Sequence, residues 1–274
     1  SSPNANSLIS YSQTGGELQI RGRFTRNTTV YTPVGLASAS ISYTRATSGI
    51  DGAAGSFDIT GSGGANGYLT GGGTIKIYDV CGTTAPTYAF RVTCTASDIN
   101  VTGGTVELLP ASGTVPADDR DFYVNTNAPF ANLVINRSSG AANIQLNTTP
   151  VTVLNNLTIT SGVLIANNLD LTIGGNFTIA SGSTYTPGNN TTTFNGTSNQ
   201  NITLYAPQNF YRLTIDKPSG TSLNFAGTGG LTVNISNNFR LQLATLQDNG
   251  NTINIAGNVY NSGAINGTGK IVLN

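Results

Sequence analysis

Apolar and polar residues alternate in short runs along most of this chain. The pattern is clearest from Phe210 onward, in Leu213-x-Ile215, Leu223-x-Phe225, Leu231-x-Val233-x-Ile235, Phe239-x-Leu241-x-Leu243, Ile253-x-Ile255 and Ile271-x-Leu273. Gly, Asn, Ser and Thr fill the gaps. A period of two puts every second side chain on one face, which is the mark of a half-buried strand. The runs recur roughly every 8–12 residues, the spacing of strands separated by turns. No helical period competes, so the pattern predicts an all-β chain.

A second, longer period overlies the first. Phe130-x-x-Leu133-x-Ile135-Asn136-Arg137-Ser138-Ser139-Gly140 matches Phe210-x-x-Leu213-x-Ile215-Asp216-Lys217-Pro218-Ser219-Gly220 at an offset of 80. Asn155-Asn156-Leu157 matches Asn237-Asn238-Phe239, and Gly175-Asn176-Phe177 matches Gly257-Asn258-Val259, both at an offset of 82. A duplication whose units are themselves strand repeats predicts a solenoid. Three such strands make a coil of roughly 20–30 residues, stacked strand on strand about 4.7–4.9 Å apart. Each coil covers the core of the last. Paired asparagines (Asn155-Asn156, Asn167-Asn168, Asn189-Asn190, Asn237-Asn238) suit the bends, because Asn tolerates the left-handed region and its amides bond along a stack. The expected fold is therefore a right-handed parallel β-helix, a β-solenoid, with a less regular N-terminal part. The alternative is tandem antiparallel β-sandwich domains. The long period favours them; the scarcity of two-residue hairpin turns weighs against them. Residues 1–97 read as an irregular β-rich region that includes candidate first coils. Residues 98–274 read as the solenoid, with its two copies at about 125–204 and 205–274.

Ser1 to Asn6 reads as a leader or the end of a preceding unit. Gly15-Gly16-Glu17-Leu18-Gln19-Ile20 returns as Gly72-Gly73-Thr74-Ile75-Lys76-Ile77 and as Gly103-Gly104-Thr105-Val106-Glu107-Leu108. Each reads as a glycine turn that launches a strand. None opens a helix or carries the Gly-Lys-Ser/Thr of a phosphate loop, so a structural turn is the better account. Ile41-Ser42-Tyr43 and Phe57-Asp58-Ile59 read as strands, and Gly61 to Gly73 as a loop. Tyr88 to Cys94 alternates with Phe90, Val92 and Cys94 on one face.

Composition narrows the chemistry. Only 9% of residues are charged, and 12 basic residues balance 12 acidic ones. That removes any general attraction to nucleic acid or to an anionic membrane. Histidine, methionine and tryptophan are absent. No imidazole is available for a triad or the usual zinc site. Without an initiator methionine, Ser1 reads as the start of a processed form or of a segment, and the strand pattern still running at Leu273 predicts a longer parent chain. No run of about 18–20 apolar residues would span a bilayer.

Few residues qualify as a site. Asp118, Asp119 and Asp121 are a weak Ca²⁺ candidate, since clustered oxygens suit a hard cation. The loop lacks the D-x-D-x-D-G spacing and contains Arg120, so a polar surface turn is the plainer account. Cys81 and Cys94 are a candidate disulfide, or two small hydrophobes in successive strands. Arg21, Arg23 and Arg26 form a basic cluster that reads as a solvated face. Asp216-Lys217 is no catalytic couple, because neighbours in a strand face opposite ways. No catalytic residue and no cofactor is expected.

The segment Thr252 to Leu273, with the Asn/Thr bias and the Leu-x-Ile-Asn/Asp-Arg/Lys-x-Ser-Gly blocks, resembles the coils of haemagglutinin-like and autotransporter β-helices. It looks most similar to the large repetitive, adhesin-like surface proteins of Bacteroidota. That resemblance covers residues 98–274 well and 9–97 loosely. It implies export by the type IX system, a secreted or cell-surface location, and a role in attachment or gliding.

Three functions are thus weighed. The first is a non-catalytic structural or adhesive segment of a larger surface repeat protein, a rigid rod or filament component. Its partners would be neighbouring repeats, identical chains or a surface polysaccharide. The second is a polysaccharide lyase or glycoside hydrolase, which needs converging carboxylates; only Asp79 to Asp121 carries enough charge for that. The third is carbohydrate or ice binding through Tyr11, Tyr43, Tyr68, Tyr78 and Tyr88 or through Thr158-x-Thr160 and Thr191-Thr192-Thr193. Against it, tyrosines are common in strands for packing alone, and the threonines do not recur at one place on successive coils.

Overall fold

The computed structural model describes residues 10–20, 24–26, 57–60, 67–78, 88–109, 121–137 and 143–274. The strand pairs are parallel, as a solenoid requires and tandem antiparallel sandwiches forbid. A single turn of 3₁₀ helix, Ala96–Asp98, is the helical element among the described residues. No helix there is long and apolar enough to cross a membrane. The chain divides into two compact units, residues 1–131 with 136–149 and residues 132–135 with 150–274.

In the first unit, β1 (Ser10–Gln13) and β2 (Glu17–Ile20) both lie against β5 (Gly67–Tyr78), which in turn pairs with β7 (Ile99–Leu109). A second sheet runs β3 (Phe24–Arg26), β4 (Phe57–Thr60), β6 (Tyr88–Thr93), β8 (Phe122–Thr126) and β10 (Ile144–Leu146). The sequence reading is corrected here. From Gly67 the expected loop is strand, and the second and third Gly-Gly pairs lie inside β5 and β7 instead of preceding them. All three pairs stack at one bend, where the β5–β7 register shifts. Gly16, Gly73 and Gly104 all have positive φ, at 72°, 78° and 100°. A Cβ on Gly73 would sit 2.6 Å from the Gly16 carbonyl oxygen. Glycine is needed for backbone conformation and for close stacking together. Inside, Phe57 stacks on Phe90 with centroids 5.2 Å apart, and Phe90 meets Phe130 at 4.9 Å.

The second unit is built from three-strand coils. After β9 (Asn132–Asn136) and β11 (Val151–Val153) come β12 (Leu157–Ser161), β13 (Val163–Ile165) and β14 (Leu171–Ile173). The next two coils are β15 (Phe177–Ile179), β16 (Thr184–Thr186), β17 (Thr191–Phe194) and β18 (Gln200–Leu204), β19 (Gln208–Phe210), β20 (Arg212–Asp216). Then follow β21 (Ser222–Gly227), β22 (Thr232–Ile235), β23 (Phe239–Gln242), and β24 (Thr245–Gln247), β25 (Thr252–Ile255), β26 (Val259–Asn261). The last strands are β27 (Ala264–Asn266) and β28 (Lys270–Leu273). The first face stacks β12, β15, β18, β21, β24 and β27. The third face stacks β11, β14, β17, β20, β23 and β26. On the second face β13 pairs with β16, and β19, β22, β25 and β28 form a separate ladder.

Inward positions align coil over coil. Leu157, Phe177, Ile202 and Phe225 form one buried column, and Ile173, Phe194, Ile215 and Leu241 another. Each such side chain is worth about 1.5–3 kcal/mol when fully buried. Outward positions also align, in columns of asparagine. Asn132 Oδ1 accepts from Asn156 N at 3.2 Å, Asn156 Oδ1 from Asn176 N at 2.9 Å, and Asn176 Oδ1 from Asn201 N at 2.8 Å. Asn224 Nδ2 then donates to Asn201 Oδ1 at 3.0 Å. On the second face Asn254 donates to Asn234 at 2.9 Å and Asn234 to Asn209 at 2.8 Å. The expected amide bonding along the stack is present.

Candidate functional site

The residues singled out in the sequence do not converge. Asp118 and Asp119 lie outside the described residues. Asp121 is engaged in the fold: its Oδ1 accepts from Asn143 N at 2.7 Å, and its other oxygen accepts from Gln145 Nε2. Those bonds hold the start of β10 beside β8. Among the described residues no group of three or more metal-ligating side chains is found. Cys94 is a buried free thiol, pushed up to about 11 by burial and then by Asp98; Cys81 lies outside the described residues. Arg21, Arg23, Tyr43 and Asp79 also lie outside them.

Two of the tyrosines proposed for sugar stacking are core residues. Tyr68 and Tyr88 are buried. Tyr11 is half-buried, stands edge-on to Phe57 at 5.1 Å, and has its hydroxyl pushed up to about 12 by burial. The threonines need the opposite correction. Thr152, Thr172, Thr193 and Thr214 stand in register on four successive strands of the third face. They form a single file, which the uneven coil lengths hide in the sequence.

Among the described residues two basic side chains are buried, and the repeat makes them counterparts. Arg137 lies with its guanidinium 3.7 Å from the centre of the Phe122 ring. Lys217 donates from Nζ to Gly196 O, Ser198 O and Gln200 Oε1, each at 2.7 Å. Burial lowers its ammonium from 10.5 to about 8. Its partners are neutral oxygens of the preceding turn, so it ties that turn down.

Among the described residues, accessible polar and basic side chains gather on the outer surface of β20, β23 and β26. An open groove of about 790 Å³ there is lined by Arg212, Arg240, Tyr260, Leu243, Asn238 and Gln242 among others. Register puts Arg240 between Thr214 and Tyr260 in the column that continues the threonine file. Arg212 lies in the adjacent outward column, across from Thr191, with its guanidinium 4.9 Å from the centre of the Tyr211 ring. Arg240 donates to Gln242 Oε1 at 2.7 Å, and neither arginine forms an ion pair with a described residue. Tyr260 is 55% exposed and Leu243 54% exposed. Leu243 is held at the rim with φ 58°, a left-handed conformation rare for leucine. None of the lining residues is a carboxylate. The groove can therefore hold anionic and hydroxylated groups but offers no acid–base pair. A second groove of about 610 Å³, at the turns around Asn155, Gly175 and Asn199, is uncharged.

Alternation in the sequence placed Arg212, Arg240 and Gln242 outward but Leu243 inward. The structure turns Leu243 out instead, where its left-handed backbone breaks the alternation. Nothing in the sequence put Arg212 and Arg240 on one face, because they are 28 positions apart. Comparison with known protein families, with curated proteins and with solved structures found no match for the chain.

Proposed function

We propose that this chain is a non-catalytic structural and adhesive segment of a larger secreted or cell-surface repeat protein. The observation that supports it is the asparagine columns. In most enzymes polar side chains converge on a pocket; here they run from coil to coil, each bonding to its equivalent one layer away. A stack stabilised by nearest-neighbour terms of this kind resists being pulled apart and can be lengthened by adding layers. The natural partners of such a segment are further coils, identical chains or a polymer at the surface.

Stretching single molecules from end to end tests the reading. Residues 150–274 are expected to resist force and then unravel in steps of one coil, about 20 residues each. Extension without measurable resistance would overturn it. Release of reducing or unsaturated sugars from a polysaccharide panel would instead establish the enzymatic alternative, a lyase or glycoside hydrolase.

A further inference from the structure

We propose that the groove over β20, β23 and β26 binds an acidic polysaccharide, with Arg212 and Arg240 on its anionic groups and Tyr260 beneath a sugar ring. This deepens the adhesive reading given above by naming the polymer and the face that holds it.

Three observations on that face carry the inference. First, Arg212 and Arg240 stand on neighbouring strands, Leu213 opposite Phe239 and Thr214 opposite Arg240. That makes them diagonal neighbours, with Cα atoms about 7–8 Å apart. Two arginines rooted this close on one face can reach carboxylates or sulfates carried on adjacent or alternate sugars. Both lie outward, and neither forms an ion pair with a described residue that an incoming anion would have to displace. Second, Tyr260 follows Arg240 in the same outward column, with an exposed ring at the height of the next layer. An exposed aromatic face is a platform for the C–H face of a pyranose, and Leu243 extends that apolar strip at the rim. Third, the rest of the lining is hydroxyl and amide: Thr191, Thr214, Asn238, Gln242, Asn261 and Ser262. These groups both donate and accept, as a sugar's hydroxyls do.

Nucleic acid fits less well. Two arginines release few counterions, the chain as a whole carries no net charge, and a single tyrosine offers one stacking position instead of a series.

The test is equilibrium binding of the whole chain to dextran sulfate, polygalacturonate and alginate, with unsulfated dextran and an oligothymidylate as comparators. Dextran sulfate against dextran isolates the charge on one backbone; the two uronans test carboxylate in place of sulfate. The acidic polymers are expected to bind, more weakly as salt rises, and dextran not to. The double variant R212Q/R240Q is expected to lose at least tenfold in affinity, and Tyr260→Ala about threefold to tenfold. All three substitutions are on the surface, so thermal melting followed by circular dichroism should be unchanged. Failure of every acidic polymer to bind would overturn the proposal. So would equal binding of dextran, affinity unmoved by the double variant, or tighter binding of oligothymidylate. None of those results touches the stretching experiment, so the scaffold reading stands or falls separately.

Discussion

At the scale of the residue, Lys217 is the most informative side chain. The alternation that sends Leu213 and Ile215 inward also sends Lys217 inward and Asp216 out, and the structure has Lys217 buried and Asp216 exposed. A cation placed among three neutral oxygens is satisfied but desolvated, which lowers its ammonium to about 8 against 10.5 when free. Below about pH 8 both folded and unfolded chains hold the proton and the penalty is constant. Between about 8 and 10.5 the unfolded chain keeps a proton that the folded chain has released, so stability rises with pH. The raised Cys94 thiol works against that rise above about pH 9, so the check is a difference: urea unfolding across the window should show the native chain gaining stability relative to Lys217→Met. Tyr185 acts the other way. It is buried, its hydroxyl 2.9 Å from Thr192 Oγ1 and from Asn190 Nδ2, and burial holds it up at about 12. Above pH 10 the unfolded tyrosine ionises first and stability falls. The sequence marks Lys217 as a repeat position matching Arg137, but not what receives it; Gly196, Ser198 and Gln200 come from the preceding layer.

At the scale of the element, single strands of three to six residues have no stability of their own. Their outer columns hold them to the layers on either side. Removing one amide, as in Asn176→Ala, deletes the oxygen that accepts from Asn201 N, while Asn176 N still donates to Asn156 Oδ1, so the cost should be about 1 kcal/mol. Thermal melting should drop by roughly 2–4 °C. The turns are less forgiving. A Cβ on Gly196 would lie 2.0 Å from the Gly174 carbonyl oxygen and 2.8 Å from Gln200 Cδ. The first of these is backbone and cannot swing aside, so Gly196→Ala should cost about 3 kcal/mol. Chemical denaturation measures both, and the order of the two costs is the prediction. Strand existence and facing were legible in the alternating runs. The Gly-Gly pairs were not, because a positive-φ bend between two strands and a bulge inside one strand use the same residues.

At the scale of the whole molecule, the coil and not the sequence repeat is the unit of construction. Leu133 and Ile135 lie on β9, in the first face, whereas their repeat counterparts Leu213 and Ile215 lie on β20, in the third. The same holds for Leu157 on β12 against Phe239 on β23, and for Phe177 on β15 against Val259 on β26. The 80-residue offset spans eleven strands, one short of four whole coils, so the second copy is turned by one face. Each face accepts the same Leu-x-Ile pattern, which is why the displacement is tolerated. A deletion experiment follows from this. Phe177 pairs with Ile202, so removing residues 177–201 takes out one layer and leaves the first-face column in register. Because it also removes Gly196, Ser198 and Gln200, the acceptors of Lys217, the deletion is combined with Lys217→Met. That variant should fold with a parallel-strand circular dichroism spectrum and a single melting transition lowered by a few degrees. Removing only 177–183, one strand and its turn, displaces the following strands to the wrong face and should abolish cooperative melting.

What the sequence by itself determined is the strand period, the inward and outward sides of each strand and the poverty of acid–base chemistry, because these depend only on which residues are neighbours along the chain. What the tertiary structure alone decided is which layers lie side by side. The phase of the duplication, the unbroken asparagine and threonine columns and the placing of Arg212, Arg240 and Tyr260 along one groove all depend on coil length. Coil length is set by how turns of unequal size close around one core, a property of the packed stack that no single run of residues carries.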